Sequence, residues 1–212
     1  MSSSRGLTVF LVGEGPHDIG DLADHPTYRR GREGFLQPVV RRLVGSGVTF
    51  DGQKITQLPS KRLGDAASAM RRRAGQALSL ANANGADMVV FATDLDRTGG
   101  TRASATERRR RWKERSDDIQ AGFDAARAQT PALACTRAVA AIPCRMVESW
   151  ALGDRRAVAS VAEGALGCEW SDPEALWGRE EDPSSSHPKR VLDRALNHQH
   201  TREDLADIAE AA

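Results

Sequence analysis

Aromatic side chains are scarce in this chain: four Trp, five Phe and one Tyr, 5% of 212 residues. A core of any size must therefore be mostly aliphatic. Cysteine is scarcer still, and Cys135, Cys144 and Cys168 are odd in number and lack metal-ligand spacing. That argues against a disulfide framework or a thiolate zinc cluster and suits a reducing cytoplasm. Charge of one sign is also missing, since 30 basic and 29 acidic residues leave a net charge of +1. Bulk charge gives no argument for a nucleic-acid partner, so any such argument must be local. Long apolar runs are absent as well. The opening MSSSRGLTVFLVGEG is too short in apolar residues for a signal peptide, and no stretch approaches a membrane span. A soluble cytoplasmic protein without a membrane partner is expected.

What is present is an alternation of strand-like and helix-like segments over a length that suits one main core. Leu7 to Val12 reads as a buried strand, and Phe35, Leu36, Val39, Val40 and Leu43 have helical spacing that ends at Gly45. Val48 to Leu58 follows as a strand, Leu63 to Asn84 as an Ala- and Arg-rich helix, and Met88 to Thr93 as a strongly apolar strand. Thr106 to Ala128 reads as a charged helix, Thr136 to Ile142 as a strand stopped by Pro143, and Met146 to Gly153 as a short helix. The pattern predicts an α/β fold with a mostly parallel, Rossmann-like sheet flanked by helices. Residues 1–154 form the expected core and 155–212 a helical C-terminal extension packed on it, with the loop Glu180 to Pro188 separating the last two helices.

Chemistry is suggested first by VFLVGEGPHDIG. Gly13, Gly15 and Gly20 form a poor dinucleotide fingerprint, because the third glycine is late and Pro16 and His17 crowd the turn. The alternative is that the strand delivers a carboxylate, Glu14, to the edge of the sheet. The third strand ends in TDLDRTGG, where Asp94 and Asp96 would share a face roughly 7 Å apart. Such a pair can hold a hard cation such as Mg²⁺ or Mn²⁺, or its aspartates can cap a surface turn. Sites in open α/β sheets gather beyond the carboxyl ends of strands, where Glu14 and this pair both fall. A strand followed by Asp-x-Asp-x-Thr is also how haloacid-dehalogenase-type phosphatases present a nucleophile, which would be Asp94, although here two strands precede it.

Glu14-Gly15-x-x-Asp18 on the first strand and Asp94-x-Asp96 on a later one resemble the Toprim superfamily of topoisomerases, primases and nucleases. The stretch IPCRMVESWALGD (Ile142 to Asp154) is similar to the E-x-W-x-L-x-D segment of small stand-alone Toprim-like proteins, and HPKR (His187 to Arg190) to their Pro-Lys signature. The resemblance covers residues 7 to about 195; relatives continue past the point corresponding to DIAEAA into another aromatic-containing segment. It implies a metal-dependent nuclease, in a defence system beside a partner ATPase, with Mg²⁺ or Mn²⁺ as cofactor. Glu14 would be metal ligand or general acid/base, Asp94 and Asp96 metal ligands and Asp18 a supporting acid. Glu148 would complete a second metal position, as in nucleases of the overcoming-lysogenization-defect kind, unless it simply meets the dipole of a short helix. Lys189 would neutralise a scissile phosphate, or be a solvated lysine at a helix start. Strand passage would need a tyrosine, and the single one, Tyr28, stands in a loop, so topoisomerase activity is set aside. The alternative of another class is a non-catalytic Toprim-like subunit that binds nucleic acid or an ATPase; a phosphatase comes third.

Local basic clusters supply what net charge withholds. Arg71 to Arg73 stand together, Arg108, Arg109, Arg110 and Arg111 open a helix just after the Asp-x-Asp loop, and Arg97 and Arg102 lie within that loop. These arginines could track DNA or RNA, although adjacent helical residues point around the cylinder and part of each run must be solvated. Trp150 reads as a core residue. His198 and His200 in NHQH read as exposed helix residues and are assigned no metal.

Overall fold

A computed structural model describes residues 6–23, 32–60, 67–95, 103–144, 146–162 and 165–212. In chain order the elements are β1 (Leu7–Gly13), α1 (Pro16–Ile19), α2 (Leu36–Val44), β2 (Val48–Lys54), α3 (Ala69–Ala83), β3 (Met88–Ala92) and α4 (Ala105–Gln129). They continue with β4 (Arg137–Ala141), α5 (Val147–Ala151), α6 (Arg155–Val161), α7 (Pro188–Leu196) and α8 (Arg202–Ala211). The four strands form one sheet in the order β2-β1-β3-β4, and every pairing is parallel.

The two central strands are apolar on both faces because both faces are covered, as parallel sheets require. Alternation divides their side chains. Val9 and Leu11 of β1 and Met88, Val90 and Ala92 of β3 face a layer containing Leu36 and Val40 of α2, Val147 of α5, Val158 of α6, Leu192 of α7 and Leu205 of α8. Phe10, Val12, Val89 and Phe91 face α3 and α4 through Ala74, Ala77, Leu78, Ile119 and Phe123. The segment from residue 155 onward thus lies in the same apolar cluster as one face of the sheet.

Local chemistry sets the helix limits. Ser68 accepts the amide of Arg71 at 3.0 Å to start α3, and Ser104 accepts that of Glu107 at 3.2 Å to start α4. The highly charged α4 is held by a small apolar footprint, Ile119, Gly122 and Phe123. A Cβ on Gly122 would lie 2.1 Å from the carbonyl oxygen of Arg71, so glycine is what lets the α3 and α4 backbones touch. There Phe123 meets Phe91 edge to face, with ring centroids 6.4 Å apart. β2 is shorter than the sequence suggests: Gln57 Oε1 takes the Lys54 amide at 2.9 Å, and Ile55–Gln57 turns into a single 3₁₀ turn. The start expected for α3 at Leu63 falls on residues 61–66, outside the described ones.

Candidate functional site

Backbone register places the first two acids. Val12 pairs with Phe91, so Glu14 leaves β1 at the level where Thr93 leaves β3. Glu14 Oε1 accepts the hydroxyl of Thr93 at 3.1 Å and the amide of Asp94 at 3.0 Å. Behind it, a Cβ on Gly13 would lie 2.8 Å from Asp18 Cβ and 2.7 Å from Ile19. Glycine therefore allows the chain to fold α1 tightly back over the strand end. Asp18 closes that turn: its Oδ2 accepts the amides of Glu14 at 2.6 Å and Gly15 at 3.2 Å. Burial, and then the charge of Glu148, push the Asp18 carboxyl up to about 7 against the opposing pull of the Gly15 amide and His17.

Glu148, on α5, is 1% exposed. Its Oε1 lies 3.4 Å from His17 Nδ1 and 3.4 Å from His200 Nε2. Burial penalises its charge, but the two histidines and Lys189 outweigh that penalty and hold the carboxyl well below the usual carboxylate range. His200 is fastened from behind by Asp193, whose Oδ1 accepts the His200 ring Nδ1–H at 2.6 Å and its backbone amide at 2.9 Å. Burial lowers the His200 pKa, but Glu148 and Asp193 outweigh it and leave the ring above its ordinary value. The His17 and His200 rings meet edge to face, with centroids 5.7 Å apart. Lys189, at the start of α7, donates to Glu180 at 3.0 Å. Burial would lower its pKa, but Glu148, Glu180 and Asp94 together raise it.

Glu14, His17, Asp18, Asp94, Glu148 and Lys189 all line one open cleft of about 500 Å³. The cleft thus brings together five of the residues singled out from sequence. Asp96, Arg97 and Arg102 lie outside the described residues. Arg108 to Arg111 stand on the first turns of α4 and do not line the cleft. Arg108 donates to the Ala103 carbonyl at 3.1 Å. Arg110 bridges Glu107 and Glu114 at 2.7 and 2.5 Å, Arg111 reaches Glu107 at 2.7 Å, and Arg109 is exposed. On α3, Arg72 donates to the Ser60 carbonyl at 2.8 and 2.6 Å, so part of that basic run ties a loop to the helix. Trp150 is partly buried against the sheet's apolar layer.

The reading of His198 and His200 as exposed helix residues is corrected in part: His198 is exposed, but neither residue is helical and the His200 side chain is buried. α7 ends at Leu196, Asn197 takes a left-handed conformation with φ 61°, and the chain turns before Thr201 caps α8. The His200 side chain is 5% exposed and lies against Glu148. Asn just past an apolar helical run is a stop signal and was the available clue. Nothing local announces that the ring three residues later is buried. Sequence reasoning likewise passed over His17, which it took only as crowding in a glycine turn.

No helix among the described residues is long and apolar enough to cross a membrane. Compared with known proteins, the chain matches no family model, no curated protein and no solved structure.

Proposed function

We propose that this chain is a metal-dependent phosphodiester hydrolase of Toprim type, acting on DNA or RNA, with its active site in the cleft beyond β1 and β3. The observation that carries the reading is that Glu14 and Asp94, 80 residues apart, meet at the C-terminal ends of adjacent parallel strands, joined by the hydrogen bond from the Asp94 amide to Glu14 Oε1. This is where open α/β sheets bind ligands.

The donor set fits a hard cation, because Glu14 and Asp94 offer carboxylate oxygen and line the same cleft. These two, with Asp96 two residues further on, would hold Mg²⁺ or Mn²⁺, which when bound activates water and offsets the charge of the diester. The chain's own residues do the rest. Thr93 and the Asp94 amide hold the Glu14 carboxylate in one orientation, and Asp18 braces the turn from which it projects. Lys189 keeps a positive charge in the cleft, where it offsets the repulsion between clustered acids and an incoming phosphate. The resemblance would add a defence setting with a partner ATPase, and the few cysteines without metal-ligand spacing suit a cytoplasmic location.

The test is cleavage of DNA and RNA by the purified protein in Mg²⁺ or Mn²⁺, with and without chelator. Asp94→Asn should reduce cleavage by more than the roughly 100-fold that an outer-shell change costs at a metal site. Unchanged cleavage in Asp94→Asn would overturn the proposal. Hydrolysis of small phosphomonoesters without action on polynucleotides would move the assignment to a phosphatase.

A further inference from the structure

Beside the cleft, and sharing His17 and Glu148 with it, stands a donor set of a different chemical kind. His17 Nδ1, Glu148 Oε1 and His200 Nε2 all lie within 4.8 Å of one another. We infer that these three atoms form a binding site for a zinc-class divalent ion, separate from the all-oxygen site at Glu14 and Asp94. The inference does not depend on the hydrolytic reading.

Three features support it. The first is spacing. Two ligand atoms each bound at about 2.0–2.1 Å to one tetrahedral ion stand about 3.3–3.4 Å apart, and both nitrogen-to-carboxylate separations here are 3.4 Å. Charge-assisted hydrogen bonds between such groups close to about 2.7–2.9 Å instead. The third edge, between the two ring nitrogens, lies within 4.8 Å and would have to shorten on binding; the His17 side chain, at its end, is 43% exposed.

The second feature is the state of His200 Nε2. It is buried and meets no hydrogen-bond geometry; Glu148 Oε1 stands 3.4 Å from it. A buried ring nitrogen without a hydrogen bond is costly; the Glu148 charge offsets that cost while the ring is protonated, and a bound metal ion would offset it in the neutral ring. The third is the support behind it. Asp193 accepts the Nδ1–H of His200 at 2.6 Å and also grips its backbone amide. In the neutral ring this fixes the tautomer that leaves Nε2, 3.4 Å from Glu148 Oε1, with a free lone pair, the carboxylate-histidine arrangement found behind metal-bound imidazoles. Two imidazoles and one carboxylate favour zinc and its neighbours over Mg²⁺, which prefers oxygen throughout. With three protein ligands and a flank on the cleft, the ion keeps a coordination position for water or an oxyanion.

The test uses the whole chain, stripped with chelator and titrated with Zn²⁺, with Co²⁺ as a spectroscopic substitute. One tightly held Zn²⁺ per chain is expected, together with a visible Co²⁺ d–d band that reports nitrogen ligation. His17→Ala alters an exposed side chain and should leave the fold intact while weakening Zn²⁺ binding at least tenfold and shifting the Co²⁺ band; His200→Ala should abolish both. Glu14→Gln and Asp94→Asn should retain the tight site, which separates it from the hydrolytic one. Zn²⁺ affinity and Co²⁺ spectrum unchanged in both His17→Ala and His200→Ala, or a parent chain that holds no Zn²⁺ after desalting, overturns the inference.

Discussion

One part of the cleft, Glu14 and Asp94, stands at the ends of two adjacent strands and owes its geometry to backbone register. The cluster beside it, His17, Glu148 and His200, of which the first two line the cleft, is drawn from a four-residue helix, a five-residue helix and a turn between α7 and α8. The first is placed by the parallel register of β1 and β3, with Thr93, the Asp94 amide and Asp18 fixing Glu14 just past the strand end. The second is held by side-chain chemistry: the Asp193 grip on His200, the cap of α8 and the burial of Glu148. Substitutions should therefore act on the first part through chemistry alone, and on the second through both chemistry and position.

The largest expected effect is on the strand-end acids. Glu14→Gln keeps an acceptor for Thr93 and the Asp94 amide, so the fold should survive while Mg²⁺- or Mn²⁺-dependent cleavage falls by on the order of 100-fold or more. A melting temperature near the parent's, measured alongside activity, checks that the loss is chemical. A variant that is both inactive and unfolded would break the comparison.

Next in size is Asp193→Asn. An outer-shell carboxylate behind a metal-bound imidazole accounts for roughly 10- to 100-fold in affinity, so Zn²⁺ titration should show a loss in that range. Rescue by Asp193→Glu but not by Asn would point to the charge behind the ring rather than to packing.

The smallest effect concerns the support of the turn itself. Thr201 and Asp204 cap α8 reciprocally, with the Thr201 amide donating to Asp204 at 2.6 Å and the Asp204 amide to Thr201 Oγ1 at 3.2 Å. Asp204→Asn should cost about 1 kcal/mol in denaturant unfolding at neutral pH. Burial would raise the Asp204 carboxyl, but the Thr201 amide and His198 outweigh it and lower its pKa. The folded carboxylate is therefore the favoured form: its contribution is present above the unfolded value of 3.8 and is lost as pH falls through the lower folded value. The stability difference between the parent and Asp204→Asn should accordingly shrink on acidification below about pH 4. A difference that stays constant down to pH 3 would show that the cap acts without its charge.

The central strands were legible because buried parallel strands carry nearly unbroken apolar runs, and the end of α2 because Gly45 marks it. The parallel pairing of all four and the β2-β1-β3-β4 order sharpen the expected mostly parallel sheet. The end of β2 was misjudged, since a Gln side chain three residues on competes for the Lys54 amide. The C-terminal helices were anticipated, but the break at Asn197 was not, and the long loop before Pro188 separates α6 from α7 rather than the last two helices.

Residue type and local pattern alone determined that this chain builds an α/β sheet with apolar faces and presents Glu14 and Asp94 at strand ends, because strand periodicity and strand termination are decided within a few neighbouring residues. Only the tertiary structure decided which acids and bases share a cleft. Glu148 lies 131 residues from His17 and 52 from His200 along the chain, and no periodicity operates over such separations. Their meeting depends on α5, α7 and α8 all burying their apolar stripes against the same face of the sheet. Packing then brings Glu148, already singled out from sequence, within 3.4 Å of two ring nitrogens that nothing local had marked.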